Sequence, residues 1–462
     1  MVKRNPTLFI LPSAQDGQRS GGQKPRLRAR VCLMAVFCVT AAIAAPAQIV
    51  SFTSLLSFNG TDGTGPEYSS LVQGVDGNLY GITNTGGAGT DCYRGGEGCG
   101  TVFRVTPTGT LTTLHNFCSA PICADGEEPA AGLVQGSDGK FYGTTERGGV
   151  TGWGVIFGIS PAGTLSVVYT LCSLANCADG SWPTGGLTLG TDGNFYGTTL
   201  LGGATGACSN SSGCGTVFKL TPSGTLITLH SFQGSPANDG AYPRGSLVQG
   251  SDGNFYGITW QGGGGVDSRC HPTGCGVIFR VTPSGAVTTL YSFCSLTNCA
   301  DGNFPFAGLI QASDGNFYGV TAYGGISGCA TLGCGTAFRL TQAGTLTTLY
   351  TFCSQSNCAD GQWPFGPLLQ SARDGNFYGT TGNGGGHSDL CGAGCGTIFK
   401  LTPAGALTTL HVFSRSDGAA PWGGLTQVSN GTFYGTTYFG GIYNNYGTVF
   451  SVAISICAIC RP

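Results

Sequence analysis

The sequence predicts an all-β fold, a seven-bladed β-propeller of four-stranded antiparallel blades. Two observations predict it. The hexapeptide DGNFYG and its close variants recur seven times at near-regular intervals, and the two chain ends each hold part of one repeat. A ring whose N-terminal strand completes the last blade accounts for both.

Residues 1–47 read as a signal peptide. Lys24, Arg26, Arg28 and Arg30 precede an apolar run from Val31, and Ala45-Pro46-Ala47 offers small residues for cleavage before Gln48. The basic stretch is long, which places the true start downstream of Met1. The apolar run is short for a membrane span, and no other candidate span exists. Cleavage leaves 13 basic and 21 acidic residues, a net charge of −8. No basic patch then remains for phosphates, which argues against nucleic acid as a partner.

Residues 48–462 read as one domain. The marker occupies Asp76–Gly81, Asp138–Gly143, Asp192–Gly197, Asp252–Gly257, Asp314–Gly319, Asp374–Gly379 and Asn430–Gly435. Each copy offers four short strands, A to D. GLVQG (Gly132–Gly136) leads into an Asp-Gly turn, and KFYGTT follows with residues that suit a pleated surface. GTVFRVTP (Gly100–Pro107) and TLTTLHNF (Thr110–Phe117) flank a Pro-x-Gly turn. The last copy stops after GTVFSVAI. Gln48–Phe58 matches its missing fourth strand, aligning Leu55-Leu56-Ser57-Phe58 with Leu229-His230-Ser231-Phe232. Closure of this kind leaves no open sheet edge.

The unit DGNFYGTT…GG…GCGTVFKLTPSGTL resembles the GloVer tandem repeat of secreted bacterial proteins across about residues 50–455. That resemblance implies export and carries no activity with it. Many such proteins end in a sorting anchor, whereas this chain ends in CAICRP. DGN-aromatic and TP-x-G are also similar, more weakly, to streptogramin lyase-like propellers. That likeness would imply a catalytic His and an acidic metal ligand, but no matching His motif is present. His115, His230 and His411 share one repeat position with Tyr169, Tyr291 and Tyr350, so they read as packing residues. His271 and His387 stand singly in loops.

Twenty cysteines follow the signal segment and fall into ten close pairs. Cys92 goes with Cys99, Cys118 with Cys123, Cys172 with Cys177, Cys208 with Cys214 and Cys270 with Cys275. Further on, Cys294 goes with Cys299, Cys329 with Cys334, Cys353 with Cys358, Cys391 with Cys395 and Cys457 with Cys460. Loops that lack cysteine lack both members, so each pair is expected to be a disulfide, as befits an exported chain. An isolated pair supplies only two of the four ligands a structural zinc site takes, so no metal site is expected.

Alternating strand direction puts the tight A–B and C–D turns on one face. The long B–C and D–A loops, with nine of the ten cysteine pairs, lie on the other. Binding favours varied loops on a rigid frame, so the stapled face is the candidate site. Its D–A loops repeat Asp-Gly-x-x-Pro through Asp62, Asp125, Asp179, Asp239, Asp301, Asp360 and Asp417. These carboxylates are expected to accept backbone N–H bonds and fix the turns. A sharper reading makes them a cation-attracting ring, with calcium as the cation.

Trp182, Tyr242, Phe304, Trp363 and Trp422 adjoin the prolines, and Trp260 stands in a B–C loop. Inter-blade packing explains such aromatics. Stacking on sugar rings explains them too, with polysaccharide or a cell-surface polymer as partner. The candidate binding set is those six aromatics with Asp125, Asp179, Asp239, Asp301, Asp360 and Asp417; no catalytic residue, metal ligand or cofactor is assigned. The expected protein is a monomeric extracellular binding or scaffold module, secreted or held at the cell surface or in the periplasm. The competing readings are a lyase or glycoside-active propeller with its site at the channel mouth, and a purely structural envelope protein.

Overall fold

The computed structural model describes residues 48–89, 92–93, 98–203, 208, 212–234, 237–265, 270, 273–325, 329, 332–386, 391–443 and 445–456. The signal peptide, its cleavage position, Cys457, Cys460, His271 and His387 lie outside the described residues. Seven antiparallel sheets follow one another around a ring. Blade 3 is typical: strand A is Thr188–Leu189, B is Phe195–Thr199, C is Thr216–Leu220 and D is Leu226–Ser231.

Blade 7 takes Thr426–Gln427, Phe433–Thr437 and Thr448–Ile456 from the C-terminal end, and Gln48–Ser57 as its strand D. Gln48 pairs with Ile456 and Ser57 with Thr448. The Phe58 amide donates to Gly447 O at 3.0 Å, and the Phe232 amide donates to Gly215 O at 3.0 Å in blade 3. The alignment of Leu55–Phe58 on Leu229–Phe232 therefore holds to the residue.

Strands B and C are almost wholly buried and form the blade cores. The glycine of FYG is needed there, because a Cβ on Gly197 would lie 2.5 Å from Phe218 Cζ. Blades are joined ring to ring. Tyr196 meets Phe255 at 3.8 Å between centroids, Tyr80 meets Phe141 at 4.0 Å, and four further Tyr–Phe pairs repeat the contact. At the 7–1 junction Leu79 replaces the phenylalanine.

Strand A departs from the expected five-residue unit. In blades 2 and 4 it lengthens to Glu127–Gln135 and Ala241–Gln249, and in blade 5 it splits into Asn303–Pro305 and Ile310–Gln311. The Asp-Gly-x-x-Pro segment itself pairs with the end of strand B, and a register shift between Arg244 and Val248 separates the two parts. In other blades the same pairing shrinks to single bridges such as Ser181 with Leu201.

Candidate functional site

On the turn face, each A–B aspartate does more than shape a hairpin. Asp76, Asp138, Asp192, Asp252, Asp314 and Asp374 each accept a 2.8 Å hydrogen bond from the buried tyrosine four residues on. Burial alone would raise these carboxyls, but side-chain and backbone donors hold them below the ordinary aspartate value. Blade 7 has Asn430 in place of that aspartate, opposite Tyr434.

On the loop face, the six candidate aspartates turn inward to their own loops. Asp179 accepts from Tyr169 Oη at 3.0 Å and from the Ser173 and Leu174 amides. Asp301 and Asp360 repeat the pattern with Tyr291 and Tyr350. In blades where histidine holds that position, His115, His230 and His411 reach Asp125, Asp239 and Asp417 at 2.9, 3.0 and 3.2 Å. The tyrosine–histidine exchange thus preserves one bond to the loop carboxylate. Among the described residues, no three of these aspartates gather within ligating reach of one another.

The residue before each loop proline has a left-handed backbone in all seven repeats. Gly65, Glu128, Trp182, Tyr242, Phe304, Trp363 and Ala420 have φ between 48° and 58°. That is costly for a bulky side chain, and a residue before proline ordinarily stays extended. The compensation is a repeated seam. The amide of each donates to the closing B–C loop of the preceding blade: Trp182 to Trp153 O, Tyr242 to Cys214 O, Phe304 to Cys275 O, Trp363 to Cys334 O. Their side chains then pack between blades. Trp182, Tyr242 and Trp260 join one core cluster, Phe304 a second and Trp363 a third. Trp260 lies at the end of strand B, Phe255–Gln261, rather than in the loop after it.

The residue after each proline faces the axis instead. Glu67 with Tyr68, Ala130, Thr184, Arg244, Phe306, Phe365 and Trp422 hold this position, and all but Trp422 line the central cavity of about 370 Å³. Side chains just before strand A, such as Leu71, Leu187 and Leu309, form its apolar walls. The rim has two halves. Blades 5, 6, 7 and 1 contribute an aromatic arc, with Tyr68 4.6 Å from Phe306, 5.6 Å from Trp422 and 6.1 Å from Phe365. Trp422 also stacks on Tyr438 at 4.5 Å. Gly382 makes room for it, since a Cβ there would sit 2.7 Å from the indole nitrogen.

Blades 1 to 4 contribute the polar half: Glu67, Asn84, Glu146, Thr184 and Arg244. The Arg244 guanidinium lies 4.4 Å from the Phe306 ring and 5.1 Å from Trp260, and its buried Nε has no hydrogen-bond partner among the described residues. Burial pushes Arg244 down, while Tyr68, Glu146 and Glu67 favour its charged form. Burial and the Glu67 charge push the Tyr68 hydroxyl up, so it stays a neutral donor.

Of the candidate aromatics, Trp422 alone occupies a post-proline rim position. Trp182, Tyr242, Phe304 and Trp363 stand one residue before the proline, and Trp260 sits behind Arg244. Sequence reading missed Glu67, Tyr68, Glu146, Arg244, Phe306 and Phe365. Between-blade variety does not single them out, because the residues before the proline differ between blades as much as those after it.

Nine of the expected disulfides join cysteines among the described residues. Three stand as lone staples of their blades: Cys172 with Cys177 in blade 2, Cys208 with Cys214 in blade 3, and Cys391 with Cys395 in blade 6. The other six are doubled, which departs from the expectation of isolated pairs. Blade 1 brings the Cys92 to Cys99 staple beside that of Cys118 and Cys123. There Cys99, Cys118 and Cys123 gather with Glu127. Blade 5 places Cys329, of the Cys334 staple, against Cys353 and Cys358. In blade 4 all four sulfurs of Cys270, Cys275, Cys294 and Cys299 lie within 4.8 Å of one another.

The family model described as the Gloeobacter/Verrucomicrobia repeat matches residues 88–332 and 271–456. No curated protein matches the chain. Among solved structures, the extracellular domains assigned to two hybrid two-component systems of B. thetaiotaomicron are similar in fold. One has a TM-score of 0.52 at 11% identity, covering 87% of this chain and 39% of that one. The other has 0.49 at 13%, covering 88% and 41%. This chain therefore spans about two fifths of those proteins' length. The PQQ-bound aldose sugar dehydrogenase of Streptomyces coelicolor aligns over 89% of this chain and 100% of that one, with a TM-score of 0.38 at 14% identity.

Proposed function

From a chain that belongs to the Gloeobacter/Verrucomicrobia repeat family and closes as a seven-bladed ring, we infer an exported binding module that takes a carbohydrate at the mouth of its central cavity. The observation that carries this is the two-sided rim. Aromatic rings at the cavity mouth (Phe306, Phe365 and Tyr68, with Trp422 stacked behind Tyr68) share the rim with a donor, Arg244, which lies against Phe306, and with two carboxylate acceptors, Glu67 and Glu146. Sugars present an apolar C–H face and a rim of hydroxyls that both donate and accept, which is the complement of this pairing. A cavity of this volume suits a short sugar segment. Mixed charge at the rim favours a neutral glycan over a polyanion. The staples support export, since disulfides persist in oxidising compartments.

A polysaccharide and glycan binding screen on residues 48–462, with and without calcium, tests this. The expected outcome is a hit whose affinity falls at least about tenfold in Phe365→Ala and in Arg244→Ala. A hit unaffected by both variants, or no hit at all, removes the reading. Glu67 and Glu146 on the same rim favour a second reading, glycoside hydrolysis, which new reducing ends appearing over time in the same screen would reveal.

A further inference from the structure

Blade 4 gathers four cysteine sulfurs in one buried place. Cys270, Cys275, Cys294 and Cys299 all lie within 4.8 Å of one another, and Cys270 Sγ is 3.7 Å from Cys294 Sγ across the two disulfides. Four thiolates around a tetrahedral zinc-class ion, with metal–sulfur bonds of about 2.3 Å, sit about 3.8 Å apart. The cross-pair spacing already has that scale.

A second, independent observation points to the same centre. Asn303 is fully buried, its Nδ2 donates to Cys270 Sγ at 3.6 Å, and its Oδ1 has no hydrogen-bond partner among the described residues. Amide donors to sulfur are the usual outer contact of metal thiolates. The position also varies in step with the sulfur. Two residues before the loop proline, the three junctions that follow a doubly stapled blade carry Glu127, Asn303 and Gln362. The other four carry Thr64, Ser181, Ala241 and Ala419. Glu127 stands within the group of Cys99, Cys118 and Cys123, and Gln362 Oε1 is 2.7 Å from Cys329 Sγ. A long polar side chain is present only where staples are doubled.

We propose that Cys270, Cys275, Cys294 and Cys299 form a tetrathiolate site for a zinc-class divalent ion once their two disulfides are reduced, with Asn303 donating to the Cys270 sulfur. Two dithiol reductant molecules supply the four electrons and four protons that convert two disulfides to four thiols, and leave as two cyclic disulfides. Binding the ion then releases the four thiol protons. The oxidised chain holds no such ion.

Cobalt(II) titration of residues 48–462 under a dithiol reductant, read by the charge-transfer and d–d bands of tetrahedral cobalt thiolate, tests this. The reduced protein is expected to show those bands, and the oxidised protein none. C294S/C299S loses one equivalent of bound cobalt. C172S/C177S, which removes a lone staple, loses none. Asn303→Leu weakens binding at the site about tenfold. Equal cobalt stoichiometry in the parent and C294S/C299S overturns the proposal. So does the absence of thiolate bands, whether circular dichroism shows the reduced ring still folded or unfolded and not rescued by cobalt.

Discussion

The residues on either side of each loop proline are two positions apart and behave as two different regions of the molecule. Those before it share one left-handed backbone and one hydrogen bond to the preceding blade, from Gly65 to Ala420. Those after it share a location and nothing else: acid, small residue, hydroxyl, cation and three aromatics. Where every blade needs the same geometry, even tryptophan accepts an unfavourable backbone to supply it. Where no such backbone is needed, the side chains after the proline, all but that of Trp422, open onto one cavity. A shared backbone marks the scaffold, and a shared outlook onto the cavity marks the site.

The comparison breaks first if the ring itself is dispensable. Deleting Gln48–Phe58 removes the strand paired with Thr448–Ile456, Phe52 with it, and uncovers Phe413 and Phe450, on which Phe52 packs. Loss of the cooperative thermal transition is expected. A deletion that melts with the parent would show that closure contributes nothing.

A smaller effect separates the two positions directly. Trp363 packs against the buried core shared by blades 5 and 6, edge-on to Tyr323 at 6.1 Å, and its indole N–H donates to Gly333 O at 3.2 Å. Trp363→Ala is expected to cost about 3 kcal/mol in a denaturant titration. Phe365→Ala, two residues on, is expected to cost about 1 kcal/mol while weakening the glycan hit at least about tenfold. Equal stability losses for the pair would erase the distinction between seam and rim.

Much of this was legible beforehand because repetition states itself. Seven markers, the split repeat and paired cysteines implied the blade count, the closure and the loop staples. The alignment of Leu55–Phe58 with Leu229–Phe232 even set the register. Composition around the proline pointed to that loop, but mostly to its seam residues. Trp182, Tyr242, Phe304 and Trp363 drew attention as aromatics, but a left-handed residue before proline turns its side chain into the blade seam. No pattern of residue types announces that backbone. Arg244 and Glu67 were passed over because single charges in a varied position carry no motif. The sulfur clusters were hidden for a different reason. Sequence shows which cysteines are close along the chain, as Cys92 is to Cys99 or Cys208 to Cys214. The two staples of blade 4 meet only because strand D returns beside the start of strand C.

The smallest expected effect tests the uniform turn face, through its response to acid. Asp192 accepts from Tyr196, Asn194 and Lys219, and its carboxyl sits below the ordinary value in the folded ring. A carboxyl so depressed favours folding above its unfolded value of about 3.9 and loses that contribution as pH falls through the folded value. Five other turn aspartates share the sign. Melting temperature is therefore expected to hold steady from pH 7 to about 5 and to decline below about 4. Asp192→Asn is expected to lower the pH 7 value slightly and to make the acid decline shallower. Asn430 already plays this part in blade 7, so Asn430→Asp, opposite Tyr434 Oη, is expected to steepen the decline. If neither variant alters the acid limb, the turn carboxylates are hairpin formers alone, and the equivalence of the blades on that face is one of shape without shared electrostatics.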